Sequence, residues 1–372
     1  MPEGLGLADR LRERIEREGP ITFRDWMATA LYDPRDGYYC RTDLERWGRA
    51  GDYRTSPERT PLFAATFARY FFSLFEALNR PARWTIVECG AGAGSFAEGV
   101  LDALRRRFPE AFAALKYVIV EVSATSSGKA QTRLARFAER TEFRCLDDVP
   151  AIDDGVIFSN ELLDAFPVHR VTMRGGDLRE LYVAMDRAGQ FSWTVGPLSS
   201  LRLLDYFEFL GFPLAEGQTT EVNLDSEAWL TTVASKLRAG YVVTVDYGAE
   251  ASSLYGDLDR SQGTLRGFRR HRLVEDLLAG PGEQDITATL DWTFVKRVGE
   301  RLGLETIDFQ GQDQFLLRNG LLEELEQLVA ETEDEGVKVQ LRNGAREMIM
   351  PTGMAASFQV LVQQWQREAA QR

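Results

Sequence analysis

The sequence predicts a doubly wound α/β fold on a mostly parallel sheet, and three observations lead there. Short β-rich apolar runs alternate with helical segments from residue 84 onward: WTIVEC (84–89), KYVIVEV (116–122), GVIFSN (155–160) and YVVTVDY (241–247), with helical spacing near 95–107, 125–139 and 225–238. Apolar strands separated by helices imply parallel pairing, right-handed crossovers and covered faces. A glycine-rich turn, ECGAGAGS (88–95), follows the first run directly. Finally, a chain of 372 residues, 44% of them hydrophobic, can bury a large core as two domains or as one with insertions.

The elements follow in order. Residues 1–80 read as a helical and loop region. Leu7–Arg17 has helical spacing, and Pro61–Leu78 places Phe63, Phe67, Tyr70, Phe71, Leu74 and Phe75 on one side. Between these segments the Gly and Pro residues of DPRDGYYCRTDLERWGRAGDYRTSPE (33–58) argue against regular structure. Residues 81–167 and 224–372 read as the sheet core. The gap between the third and fourth strands is too long for one crossover, so 168–223 reads as an insertion. It holds a hairpin (VHRVTM, LRELYVAM, QFSWTV) and an amphipathic segment, LRLLDYFEFL. Whether it serves the substrate side or a dimer interface stays open, and with it a homodimer. Residues 331–347 read as a charged connector, and SFQVLVQQW reads as a last strand.

Composition excludes several classes of function. No stretch approaches ~18 uninterrupted apolar residues, which argues against a membrane span. A net charge of −13 disfavours duplex nucleic acid as the main partner and suits solubility. Cys40, Cys89 and Cys145 make neither a disulfide framework nor a metal knuckle. Together with an N-terminus lacking the pattern of a secretion signal or transit peptide, they lead to the expectation of a reducing, cytoplasmic setting. The two histidines, His169 and His271, suggest no metal cluster, and His169 reads as a structural residue of the first inserted strand.

Open α/β sheets bind ligands at the carboxyl ends of their strands. The first strand ends in Glu88, Gly90, Gly92, Gly94 and Ser95. Ser95 stands where a dinucleotide fingerprint requires glycine, and no Lys follows Gly94 as a P-loop requires. Acidic-x-G-x-G-x-G is the pattern of S-adenosylmethionine sites in class I methyltransferases, whose ligand lacks a pyrophosphate and carries an ammonium that an acidic neighbour can use. The second strand ends at Glu121, where a carboxylate can accept both ribose hydroxyls. The third ends in Asn160 and Glu161, with Asp164 close behind. These either cap and charge a following helix or face the reacting methyl group. The fourth ends in Asp246. The convergence of polar groups on one rim is stronger than any one motif.

With ALYDPRDGYY (30–39), GDYRTSPE (51–58), ECGAGAGS (88–95), VIVEVS (118–123), SNELLDAFPVHR (159–170), VDYG (245–248), TLRGFRRHR (264–272) and PGEQDITATLDW (281–292), nearly the whole chain resembles the MidA family of S-adenosylmethionine-dependent methyltransferases. That family includes a mitochondrial complex I assembly-factor arginine methyltransferase. Ala91 replaces a frequent proline, and Ala124 replaces the proline that usually follows Ser123. The resemblance implies a class I fold with substrate-side additions, its last strand antiparallel and at the edge. It implies S-adenosyl-L-methionine as cofactor, with Asp52, Thr55 and Ser56 folding over it. The implied partner is a protein with an accessible arginine, for which a respiratory complex I subunit is one candidate. Glu161 leads the groups that could orient a guanidinium and accept its proton, ahead of Asp164 and Asp246, with Asp285 and Asp291 behind. Other readings are a methyltransferase of small molecules or of another protein residue, a non-catalytic assembly factor, and a nicotinamide oxidoreductase, which Ser95 disfavours.

Overall fold

In the computed structural model the described residues are 5–42, 60–269, 272–350 and 357–365. Asp52, Thr55 and Ser56, with the GDYRTSPE block and His271, lie outside them. The chain forms two compact units, each assembled from three segments. One comprises Arg54–Leu162, Trp229–Tyr247 and Lys296–Arg372; the other comprises Met1–Tyr53, Leu163–Ala228 and Gly248–Val295. The division differs from the sequence boundaries. Pro61–Ala77 clusters with the sheet, and both Leu163–Ala228 and Gly248–Val295 cluster with the N-terminal segment.

The first unit is built on seven strands: β1 (Trp84–Cys89), β2 (Leu115–Val120), β3 (Thr141–Phe143), β4 (Gly155–Asn160), β5 (Gly240–Ala249), β6 (Leu304–Gly311) and β7 (Phe358–Trp365). Their order is β6-β7-β5-β4-β1-β2-β3. β1 to β5 pair in parallel, while β7 runs antiparallel to both neighbours. The last strand is thus antiparallel, as expected, but interior; β6 is the edge. Its sequence explains the position, because Val360, Leu361 and Val362 are all fully buried, which an edge strand does not require. The chain winds outward from β1 to β3 and returns to β4 on the other side of β1. The topological switch point therefore lies between β1 and β4.

Helices α1 (Pro61–Ala77) and α2 (Ser95–Arg107) share a core with Trp84, Ile86, Tyr117, Val156, Phe158 and Val243 of the sheet. Thr60 caps α1 and proline opens it. Aromatic contacts close this layer: Phe96 stacks on Phe158 at 4.4 Å and Phe67 meets Phe158 edge-on at 5.2 Å. The segment expected to be a charged connector is instead a helix, Glu335–Ile349. Asp334 caps it, and Leu341, Ala345 and Met348 give it a buried face at helical spacing. Its exposed charges conceal that stripe in the sequence.

The second unit holds the helices Leu7–Glu18, Phe23–Tyr32, Arg202–Leu210 and Ala251–Gly256, and a five-stranded antiparallel sheet. In that sheet Asp177–Met185 pairs with His169–Arg174, Phe191–Gly196 and the short strand Ile21–Thr22, and Thr219–Val222 pairs with His169–Arg174. A smaller sheet joins Arg266–Arg269 to Arg272–Val274 and to Asp285–Thr287. His169 lies in the first inserted strand, its Nδ1 2.8 Å from the buried Glu180 carboxylate.

Candidate active site at the carboxyl rim of the sheet

The parallel registers Cys89↔Val120, Cys89↔Ser159 and Val245↔Asn160 bring the ends of β1, β2, β4 and β5 to one rim. The loop after β1 turns through Gly90, Gly92 and Gly94, all left-handed, with φ of 74°, 53° and 78°. Only glycine takes this conformation without strain. At Gly90 a Cβ would also lie 2.9 Å from a Leu162 methyl carbon, and at Gly94 it would lie 3.0 Å from Ala130 Cβ. Gly94 is the N-cap of α2, so the loop delivers its ligand side to a helix N-terminus. Ser95 starts that helix, and its hydroxyl accepts from the Arg133 guanidinium.

Glu121 ties the loop to β2. Its Oε2 accepts from Gly92 N–H and its Oε1 from Ser123 N–H, each at 2.8 Å. The side chain is half-buried at the rim. Glu88 behaves differently. It is 4% exposed, its Oε2 accepts from the Tyr117 hydroxyl at 2.7 Å, and burial pushes its pKa up to about 8. Burial therefore favours the neutral form of Glu88 in this structure. Tyr117 was not singled out in the sequence. Its signal was available, because a tyrosine in a buried parallel strand needs a partner for its hydroxyl.

At the end of β4, Glu161 is a non-glycine residue at φ 51°. Its N–H donates to Val245 O at 2.9 Å, and its Oε1 accepts from Asn160 Nδ2 at 3.1 Å. Asn160 Oδ1 and the neighbouring Ser159 Oγ are buried without a hydrogen-bond partner among the described residues. No helix follows β4: residues 161–168 are turns and irregular chain, so the capping alternative for Asn160 falls away. Asp246 is fully buried in β5, with its Oδ1 accepting from Tyr247 N–H at 2.9 Å.

The other candidate acids belong to the second unit. Asp164 is buried there, and its main-chain oxygen accepts from Ala288 N–H. Asp291 Oδ2 accepts from the buried Tyr206 and Tyr255 hydroxyls, and its Oδ1 accepts from Phe294 N–H in the first turn of the helix Trp292–Arg301. Burial raises its pKa. These contacts make Asp291 a helix cap within a tyrosine network.

A parallel sheet with one interior antiparallel strand, and a glycine loop feeding a helix N-terminus at the switch point, defines the class I methyltransferase architecture. Residues 66–310 match the model of a family of S-adenosyl-L-methionine-dependent methyltransferases, and the chain belongs to that family. A COG1565-superfamily methyltransferase from Burkholderia thailandensis, solved with S-adenosyl-homocysteine bound, is 30% identical. It superposes with a TM-score of 0.84 over 96% of this chain and 91% of its own. The mitochondrial protein arginine methyltransferase NDUFAF7 homologue of Drosophila melanogaster is 28% identical over 95% of this chain and 84% of its own. The mitochondrial NDUFAF7 of Bos taurus is 27% identical over 94% and 81%.

This chain is an S-adenosylmethionine-dependent methyltransferase, and that cofactor supplies an electrophilic methyl group on a sulfonium. The left-handed glycines, the half-buried Glu121 and the unpartnered Asn160 oxygen fit a polar, non-phosphate ligand. The expectation of a cytoplasmic chain is overturned, since these relatives are mitochondrial proteins. Cysteine usage reports a reducing environment and does not distinguish one reducing compartment from another.

Proposed function

We propose that the chain is a protein arginine N-methyltransferase. The glycine loop and Glu121 hold the cofactor, and Glu161, steadied by Asn160, orients the guanidinium and accepts the proton released at nitrogen. The observation that carries the reading is the left-handed backbone of Glu161 at the switch point, in the same unit as the glycine loop. A non-glycine residue there costs about 1–3 kcal/mol, and such strain clusters at functional sites. The chemistry supports arginine. A guanidinium with a pKa above ~12 is a poor nucleophile until a carboxylate fixes its plane and takes its proton. The relatives named protein arginine methyltransferases support the same acceptor class. A respiratory complex I subunit is the first acceptor to test.

Labelled methyl transfer to arrayed peptides, each paired with its arginine-to-lysine counterpart, tests the reading. Label should appear on arginine peptides alone. Glu161→Gln should lower turnover by about 100-fold or more, with S-adenosyl-homocysteine affinity within about threefold of the parent. Label on lysine, or undiminished turnover in Glu161→Gln, would sink it.

A further inference from the structure

The amino ends of β1 to β4 line a cavity of about 570 Å³ at the pole of the sheet opposite the glycine loop. All of its lining lies in the first unit. Its volume falls in the range of about 300–1,000 Å³ typical of ligand sites. Trp84, Leu115 and Ile152 contribute buried apolar surface, and the small Ala113 and Ala114 lead into β2. Several of its charges are met within the fold. Lys116 pairs with Glu142 at 2.7 Å, Asp153 pairs with Arg238 at 2.8 Å, and the Arg140 guanidinium donates to Ala113 O at 2.8 Å. Asp154, Arg83 and Glu139 are different: their side chains have no ion-pair or hydrogen-bond partner among the described residues. Arg83 and Glu139 are exposed, and Asp154 is half-buried. Asp154 precedes β4, Arg83 precedes β1 and Glu139 precedes β3. Across the strands the cavity therefore presents an acid, a base, a neutral step at β2 and an acid.

We propose that this cavity is the docking site of the chain's own residues 366–372, QREAAQR, which lie outside the described residues; the inference is independent of the acceptor assigned above. β7 runs antiparallel to β5, and the registers Trp365↔Gly240 and Gly240↔Gly155 place the end of β7 at the same pole as the cavity. From β7 the strands follow as β5, β4, β1, β2 and β3, five steps of about 4.8 Å, or about 24 Å in all. Seven extended residues reach about 23–25 Å. The order of charges matches as well. Arg367 meets Asp154, Glu368 meets Arg83 and Arg372 meets Glu139, while Ala369 and Ala370 cross β2, where Ala113 and Ala114 leave room for main chain.

A segment carrying cation, anion and cation in that order satisfies all three unpartnered groups. An anionic ligand would face two acids for one base, and an apolar one would leave all three unmatched. Single exposed ion pairs are weak. Here they act within one chain, where attachment to β7 sets an effective concentration in the millimolar range, so several weak pairs suffice. Docking fastens β7 across the amino pole to β3, the far edge of the sheet.

The test uses the full chain carrying Arg367→Lys and Arg372→Lys, which keep the charges and supply amines that a carbodiimide couples to carboxylates in contact with them. Peptide mass spectrometry should find the amine at position 367 joined to Asp154 and that at 372 joined to Glu139, each about tenfold or more above coupling to other exposed acids, as the local concentration requires. Asp154→Asn and Glu139→Gln should each abolish the matching link. An equal mixture of light and isotopically heavy chains should give no mixed pairs. Mixed pairs would place the segment on a second copy and overturn the proposal. Absent links, or links scattered evenly over the exposed acids, would overturn it too. The unmodified chain gives a second reading that no substitution disturbs. The amides of residues 368–371 should exchange about tenfold more slowly than in the free peptide QREAAQR, and equal rates would also overturn the docking.

Discussion

The two units hold their acids in different ways. In the second unit three buried carboxylates are each held by more than one partner. Asp291 has two tyrosines and a helix N–H, Glu221 has Arg170 with the backbone and hydroxyl of Thr264, and Glu180 has His169 and Ser199 N–H. At the rim of the sheet the pattern reverses. Glu161 is strained, and Asn160 Oδ1 and Ser159 Oγ lack partners among the described residues. Over-determined acids hold a fold in place. Groups left strained or short of partners at a switch point are where a ligand completes the structure.

The sharpest way to break that contrast is at the loop. Gly92→Val places a β-branched side chain at φ 53°, which forces the loop to rebuild and displaces the Gly92 N–H from Glu121. Calorimetric titration with S-adenosyl-homocysteine should show affinity lowered by about 100-fold or more, equivalent to about 2.7 kcal/mol. Near-normal affinity would mean that the loop is a packing turn and the rim no different from the rest of the sheet.

The matching change in the second unit should cost stability and spare the cofactor. Asp291→Ala removes a helix cap and leaves the buried Tyr206 and Tyr255 hydroxyls without their acceptor. A loss of about 3 kcal/mol is expected from those terms together, read as a lower midpoint in denaturant. Cofactor affinity in the folded fraction should not move. If turnover fell more than stability, Asp291 would return to the list of chemical groups.

How much of this was legible in the sequence follows the same divide. The sheet unit announced itself because each parallel strand is an unbroken apolar run, and because the glycine loop obeys a spacing that physics requires. The second unit did so only in part: its hairpin runs and the helix Arg202–Leu210 were readable locally, while pairings between separated segments, such as Ile21 with Val183, leave no local trace. The last strand's interior position depends on β6 and β7 pairing across residues 312–357, which no periodicity reveals. Within the site, Glu121 and Glu161 could be placed from strand ends alone. The state of Glu88 could not, because it is decided by burial and by Tyr117 on a neighbouring strand.

Glu88 sharpens the comparison by pH. Its folded pKa, about 8, lies above the unfolded value near 4.5, so the folded state binds the extra proton. The contribution is complete below the unfolded pKa and is lost as pH rises through the folded one. Parent stability should therefore fall between about pH 5 and 8 through this group. Glu88→Gln keeps a neutral acceptor for Tyr117 and should flatten that part of the curve, gaining on the parent progressively toward pH 8 in thermal melts. Parallel curves for the two proteins would mean that Glu88 is ionised throughout and acts by charge after all.

The smallest effect tests the strain itself. Glycine occupies φ 51° freely, so Glu161→Gly releases a conformational cost of about 1–3 kcal/mol. Against that stand about 0.5–1 kcal/mol of added chain entropy in the unfolded state and the lost hydrogen bond from Asn160, worth about 1 kcal/mol. The net should lie between a loss of about 1 kcal/mol and a gain of about 1.5 kcal/mol, so only a larger loss counts against the strain, while turnover collapses as in Glu161→Gln. A residue whose removal stabilises the fold and abolishes the reaction is held there for chemistry. A clear loss of stability would show instead that the Asn160–Glu161 pair supports its own backbone, and the rim would then resemble the over-determined acids of the second unit.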